Sequence, residues 1–403
     1  MWARCHPWGK MRMNGFVRRC FYLRLTAALT IESANADSTL KRSRRERKNT
    51  VGREEEEEEE EEGKEEEEEK GEEEEERRRR EDVERRRGGR RGRMERVWSR
   101  PLSRVALCGG THGNELCGVY MLKEMQETQQ KRSGSFSLTT VLANPRAVDV
   151  CRRYTENDLN RCFTDALLSA PITEATPYEV RRAQELSALL GPRGSEEAVD
   201  LVCDLHSTTA NMGVCLISHL TSPVGLHLFK YLQEKITSAP VRLILLKTPL
   251  PEIYSLESLG KHGIAIEVGP QPHGVLRADV YNLMREAVDR ALEWTESFNS
   301  GTVFEGGEVE VYIVVDKKDY PRDPETQQLT AAIHPQLQDN DFCLLKPGDP
   351  AFMSFSGETI CYEGEELYPI FVNEGAYYEK KTAFQLSRKE SLLIPSISVK
   401  KEQ

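Results

Sequence analysis

A glycine pair, a histidine and, three residues on, a glutamate stand together in "GGTHGNELCG", residues 109–118. Imidazole and carboxylate at i and i+3 on an entering helix turn point the same way, so His112 and Glu115 can reach one divalent ion. The spacing alone is weak evidence, because a chain with 8 histidines and abundant glutamate produces it by chance. Its position says more. The apolar run "RVALCGG" leads straight into it, and open α/β sheets gather their ligands at the carboxyl ends of strands. His206 in "DLHSTTANMG" ends a second apolar run, with Asp204 two residues earlier on the same strand face. By itself His206 reads equally as a hydrogen-bonded histidine at a strand end. Beside His112 and Glu115 it completes a His₂Glu set with an open fourth position, the arrangement of catalytic rather than structural zinc.

Zinc lowers the pKa of a bound water towards ~7, but a base must still move the protons. Glu267 in "GIAIEVGPQP" interrupts an apolar run just before Gly269–Pro270, and a buried carboxylate there needs a partner or a task. An ion pair is the alternative reading. Positive charge comes from "CRRYTENDLNRCF": Arg153, Asn160 and Arg161 form a polar loop able to grip a carboxylate and stabilise an oxyanion. Surface arginines are common, so this segment gains weight only next to the others.

The elements that must carry these groups follow from periodicity. "RVALCGG", "LTTVLANP", "AVDLVCDLH", "VRLILLK" and "GIAIEVG" read as strands. "NELCGVYMLKEMQ" reads as a helix with Leu116, Val119, Leu122 and Met125 inward. "PYEVRRAQELSALLGP" is a helix started at Pro177 and stopped by Gly191–Pro192, and "ADVYNLMREAVDRALEWTESFNSG" is a long helix closed by glycine. Strands alternating with helices predict an α/β domain with a mainly parallel sheet over residues 99–301. Residues 302–395 change to short β-like runs broken by Gly, Pro and Asp, which predicts a smaller β-rich domain, with 396–403 as a tail.

Residues 1–98 are expected to lie outside the fold. Within them, 54–96 are blocks of glutamate followed by blocks of arginine, which cannot bury apolar surface and stay solvated. The arginine-rich start loosely suggests a targeting peptide, although Arg24 breaks its apolar run. Residues 1–100 carry 27 Lys+Arg and 26 Asp+Glu, leaving 29 and 41 for the remainder. So acidic a body repels phosphate backbones and argues against nucleic acid as a partner. Ten cysteines occur without a Cys-x-x-Cys pair, several in apolar runs, a pattern that suits a reducing compartment. No apolar stretch approaches the ~18–20 residues that cross a bilayer.

Taken together, "GGTHGNE", "LANPRAV", "RRYTENDLNR", "PYEVRRAQEL", "DLHSTTANMG", "EVGPQPHGVLRAD", "DYPRD", "IHPQLQD" and "FVNEGAYYEK" resemble the aspartoacylase family of zinc amidohydrolases, across about residues 101–386. The resemblance implies a zinc-carboxypeptidase-like catalytic domain with one zinc per subunit on His112, Glu115 and His206, and Glu267 as general acid/base. It implies that Arg153 polarises the acyl carbonyl and that Asn160 and Arg161 hold the substrate's α-carboxylate on a loop supported by Asp158. Tyr377 would reach over from the second domain, which narrows the channel.

One departure bears on the substrate. Aspartoacylase proper has an arginine ten residues before its catalytic glutamate, against the aspartate side chain; here the position is Glu257. An acid there repels an acidic side chain. With "STTANMG" and "FSGETICYEG", this resembles the aminoacylase 3 branch, which takes N-acetylated aromatic amino acids and N-acetyl-cysteine S-conjugates. The expected reaction is hydrolysis of an N-acyl-L-amino acid. The alternatives are aspartoacylase activity proper, separated by an assay with N-acetylaspartate, and a silent zinc-binding interaction protein docking through its charged tail. The resemblance further implies a cytoplasmic homo-oligomer, dimer or tetramer, whose contact with the apical membrane is peripheral.

Overall fold

The structure, a computed structural model, describes residues 96–127, 134–219 and 222–400. Fourteen strands and six α-helices run through them. In chain order these are β1 (Val97–Ser99), β2 (Arg104–Gly109), α1 (Leu116–Glu127), β3 (Ser137–Leu142), α2 (Pro145–Asp149), α3 (Asp165–Leu168) and α4 (Tyr178–Leu190). Then follow β4 (Leu201–Ser207), β5 (Gly213–Ser218), α5 (Pro223–Lys235), β6 (Val241–Leu245), β7 (His262–Gly269) and α6 (Ala278–Asn299). The last third contributes β8 (Gly307–Lys318), β9 (Ala331–Ile333), β10 (Pro350–Ser354), β11 (Thr359–Cys361), β12 (Tyr368–Ile370), β13 (Phe384–Ile394) and β14 (Ile397–Val399).

One sheet of nine strands, in the order β12-β13-β8-β6-β5-β7-β4-β2-β3, runs through both halves. Pairing is parallel through β3, β2, β4 and β7, and again through β5, β6 and β8, with an antiparallel β5/β7 seam between. The strands are apolar on one face and mixed on the other. Leu201, Cys203 and Leu205 of β4 and Ile264, Ile266 and Val268 of β7 join the core that Met121, Phe229 and Trp294 from α1, α5 and α6 complete. Alternation sends Asp204, His206, Ala265 and Glu267 to the opposite face, where the chemistry lies.

The expected β-rich C-terminal domain is present, and its strands β8, β13 and β12 continue the sheet of the first domain. β8 pairs with β6 at Ile244↔Tyr312 and Leu245↔Ile313, and the long β8/β13 ladder extends from there. An apolar cluster of Met212, Cys215, Ile244, Tyr312, Phe342, Ile370 and Phe371 fills the junction. A three-stranded sheet, β11-β10-β9, closes the outer end.

Several expectations need correction. The segment 396–403 is not wholly a tail: β14 pairs in parallel with β1, Val97↔Ile397 to Ser99↔Val399, and Ile397 and Val399 are buried in the main core. β1 therefore falls partly within residues 1–98, which were expected to lie outside the fold. In α1 the inward face centres on Cys117, Gly118, Met121 and Leu122, leaving Leu116 half-buried. The helix approaches β4 so closely that a Cβ on Gly118 would lie 2.8 Å from the Leu205 carbonyl oxygen, and this contact sets its rotation. β5, α5 and β13 were not read from sequence. The expectations for residues 1–95 fall outside the described residues.

Candidate active site

His112 follows the carboxyl end of β2, on a turn that only glycine permits. Gly110 has φ +68°, and a Cβ on Gly113 would lie 2.1 Å from the backbone of Ala147 in α2. That packing presses the His-x-x-Glu turn against α2, whose start is capped by Asn144. His206 and Glu267 are register partners on the parallel strands β4 and β7.

His112, Glu115 and His206 are all buried, and one ligand atom from each lies within 4.8 Å of the others. Glu115 Oε1 lies 2.6 Å from His112 Nδ1, Glu115 Oε2 lies 3.0 Å from His206 Nδ1, and the two Nδ1 atoms are 3.2 Å apart. The far nitrogens meet carboxylates: His112 Nε2 is 3.1 Å from Asp158 Oδ1, and His206 Nε2 is 2.7 Å from Asp204 Oδ2. Asp204, fully buried, also accepts from the Thr111 hydroxyl at 2.7 Å. Each imidazole is thus fixed in tautomer by an outer carboxylate and turns its other nitrogen inward, as metal-binding histidines do. The donor set suits a divalent metal ion.

Glu267 lies 9% exposed beside this trio, and burial followed by the nearby Glu115 pushes its carboxyl well above the usual range. A raised carboxyl in a pocket is the kind of group that serves as a general acid or base. Arg153, largely buried, donates to Glu115 Oε1 and to Asp158 Oδ2, each at 3.3 Å. Asp158 also receives the Lys380 ammonium at 3.0 Å and caps the 3-10 turn Leu159–Arg161 through the Asn160 N–H. Although burial opposes it, the contact with His112 and the neighbouring arginines holds Asp158 far below the ordinary carboxylate range. Arg161 stacks on Tyr254 at 4.4 Å, and Asn160 accepts the Leu256 N–H at 3.1 Å, leaving its amide nitrogen for a ligand.

These groups open onto one pocket with about 760 Å³ of atom-free space, open mouth included. The trio, Glu267, Arg153, Asn160, Arg161, Glu257 and Tyr377 all line it, so the residues singled out by sequence converge, with Asp158 immediately behind. The remaining wall is mixed: Ile217, Ile244, Leu246, Ala265 and Phe371 supply its apolar part, beside polar groups such as Thr208, Ser255 and Gln385. Burial raises the Tyr377 hydroxyl well above its usual pKa, so it stays protonated and can donate. Gly375 has room for a methyl group, with nothing closer than 3.6 Å.

Three contributors escaped the sequence reading. Glu374 accepts from the hydroxyl of Thr208, the N–H of Thr209 at 2.8 Å and the N–H of Ala376 at 2.9 Å, and lies 3.2 Å from His273 Nε2. It ties the Tyr377 loop to the end of β4. Burial would raise its carboxyl, but His273 and Thr208 overcome that and hold it at about 2. Glu179, on the first turn of α4, accepts the N–H groups of Thr155, Glu156 and Asn157 at 2.7–3.2 Å and so shapes the loop between Arg153 and Asp158. His219 joins the pocket wall. All three are single polar residues whose partners are distant in sequence, so no local spacing reveals them.

The same architecture recurs in known proteins. Residues 101–295 match the succinylglutamate desuccinylase/aspartoacylase catalytic domain, and residues 307–389 match the AstE/AspA barrel-sandwich hybrid domain. An N-acyl-aromatic-L-amino acid amidohydrolase (carboxylate-forming) from Danio rerio is 58% identical over 314 residues, 77% of this chain and 96% of its own. The Homo sapiens protein of that name is 47% identical over 300 residues, 74% and 94%. Mus musculus aspartoacylase is 43% identical over 305 residues, 75% and 97%. The crystal structure of murine aminoacylase 3 superposes with a TM-score of 0.71 at 47% identity, covering 74% of this chain and 99% of that one. With both domain types present in order and relatives matched almost end to end, this chain belongs to the succinylglutamate desuccinylase/aspartoacylase family.

Proposed function

We propose that this protein is a zinc-dependent amidohydrolase that cleaves N-acyl-L-amino acids carrying aromatic side chains, N-acetyl-cysteine S-conjugates included, to a carboxylate and the free amino acid. The observation that carries the reading is a buried His₂Glu trio flanked by a high-pKa carboxyl and two arginines, in a pocket that also has apolar lining. The relatives that share the name N-acyl-aromatic-L-amino acid amidohydrolase support the choice of substrate.

The donors suit zinc. Imidazole nitrogens and a carboxylate oxygen are the donors of tetrahedral zinc sites, and here one such atom from each of the three residues lies within 4.8 Å of the others. Bound there, zinc supplies Lewis acidity for the amide carbonyl and lowers the pKa of water. The chain's own residues do the rest. Glu267 takes a proton from the attacking water and returns it to the leaving nitrogen, which a carboxyl with a raised pKa does well. Arg153 hydrogen-bonds the acyl oxygen as negative charge grows on it. Asn160 and Arg161 hold the α-carboxylate, and Tyr377 donates its hydroxyl from the other wall. Asp158 keeps His112, Arg153 and the loop in register.

Ile217, Ile244, Leu246 and Phe371 leave an apolar space that an aromatic side chain fills. Glu257 in the same wall opposes a carboxylate, which weighs against aspartoacylase activity proper. The proposal includes a cytoplasmic homo-oligomer with peripheral contact at the apical membrane; among the described residues no helix is long and apolar enough to cross one. Metal-replete protein assayed side by side with N-acetyltyrosine and N-acetylaspartate tests the reading. A strong preference for N-acetylaspartate overturns the substrate assignment, and full activity after exhaustive chelation overturns the mechanism.

A further inference from the structure

The pocket wall contains a polar cluster that the reaction does not use. The Ser255 hydroxyl donates to Glu257 Oε1 at 2.5 Å and lies 3.0 Å from His219 Nε2. Because that hydroxyl proton is committed to Glu257, the serine oxygen accepts from His219 Nε2–H, which leaves Nδ1 as a bare acceptor. The ring is held edge-on against Tyr254, with centroids 5.5 Å apart. Glu257 Oε2 and His219 Nδ1 are both buried and have no hydrogen-bond partner among the described residues. Unsatisfied buried polar atoms are uncommon, and two in one cluster lining a ligand pocket point to a ligand group that answers them.

Strand register locates the cluster. Along β7, Glu267 is level with His206, while Gly263 lies four residues deeper, with its Cα position against the Glu257 backbone and its carbonyl on the Ser218 hydroxyl. His219 follows Ser218 directly. The Glu257 carboxyl nevertheless stands near enough to Asp204 and His206 for their charges to act on it, and His219, Ser255 and Glu257 line the same pocket as Glu267.

Resting on the amidohydrolase reading, we propose that Ser255, Glu257 and His219 recognise a hydroxyl at the far end of the substrate's aromatic side chain, so that N-acyl tyrosines and related phenols are preferred over the matching phenyl compounds. Burial pushes Glu257 up to about 7, so Oε2 accepts when ionised and donates when protonated. A phenol both donates and accepts and therefore satisfies either state, a phenyl ring satisfies neither, and a carboxylate is opposed by the ionised form and by Nδ1.

The test is kcat/KM for N-acetyl-L-tyrosine and N-acetyl-L-phenylalanine on the metal-replete full chain. The expected tyrosine preference is tenfold or more, collapsing towards one in Glu257→Leu, Ser255→Ala and His219→Phe. Should Glu257→Leu not fold, His219→Phe, which keeps a ring against Tyr254, carries the comparison. A wild-type ratio at or below one, or a ratio unmoved in every folded variant, overturns this inference alone. Neither substrate being hydrolysed overturns it together with the reading beneath it.

Discussion

His206 and Glu267 face each other across the β4/β7 ladder as register partners, so both side chains leave the same sheet face at the same level. On the proposed reading, a metal ligand and a proton carrier are thereby held together by backbone hydrogen bonds rather than by a loop. Glu267→Ala should lower kcat by about 10²–10⁴-fold while metal content and thermal unfolding stay near wild type. Steady-state kinetics alongside metal analysis check this, and near-normal turnover would remove Glu267 from the mechanism.

Asp204 fixes the His206 ring from behind. Asp204→Asn leaves the trio intact but weakens the acceptor on Nε2, so affinity for zinc should fall about 10–100-fold. Competition with a chelator measures it, and activity should return on adding excess zinc.

Glu257 separates acidic from aromatic side chains. Glu257→Arg should shift the kcat/KM ratio towards N-acetylaspartate over N-acetyltyrosine by tenfold or more, since the sign of the charge in a buried wall is reversed. An unchanged ratio would show that this position does not read the side chain.

Glu374 gives a prediction for acid. Its folded value of about 2 lies below the 4.5 of an unperturbed glutamate. The stability it contributes is therefore fully present above pH ~4.5 and is lost as pH falls towards 2. A difference of that size corresponds to roughly 3 kcal/mol. Glu374→Gln should flatten the stability-versus-pH curve in that window, read by urea unfolding at several pH values. It should also raise KM, because the Tyr377 loop loses its anchor.

Glu179 should matter through the loop it holds. Glu179→Gln places an amide group against three backbone N–H donors, so KM for N-acyl amino acids should rise several-fold. The preference for a substrate with a free α-carboxylate over its carboxamide should shrink, which generalised destabilisation would not cause.

Much of this site was legible because its parts carry local signals. His112 and Glu115 share one helical turn, His206 and Glu267 end apolar runs, and Arg153 to Arg161 form one polar loop. Tyr377 came only through family resemblance, as its partners Phe371 and Lys380 say nothing about β4. Glu374, Glu179 and His219 act on groups far away in the chain, and periodicity is blind to such pairs. β13 was missed because "FQLSRKESLLI" carries charges on its exposed face, and the ladder with β8 makes it a strand. The joining of the two halves was likewise invisible, since it depends on two residue pairs between β6 and β8.

That shared sheet has a mechanical consequence. Part of the pocket's wall comes from strands of one hydrogen-bonded sheet, with Ile244 of β6 paired to Tyr312 of β8 and Gln385 of β13 reaching the same space. Swinging one half away from the other would tear backbone hydrogen bonds and uncover the apolar seam. The size of what enters is accordingly set as by a fixed sieve.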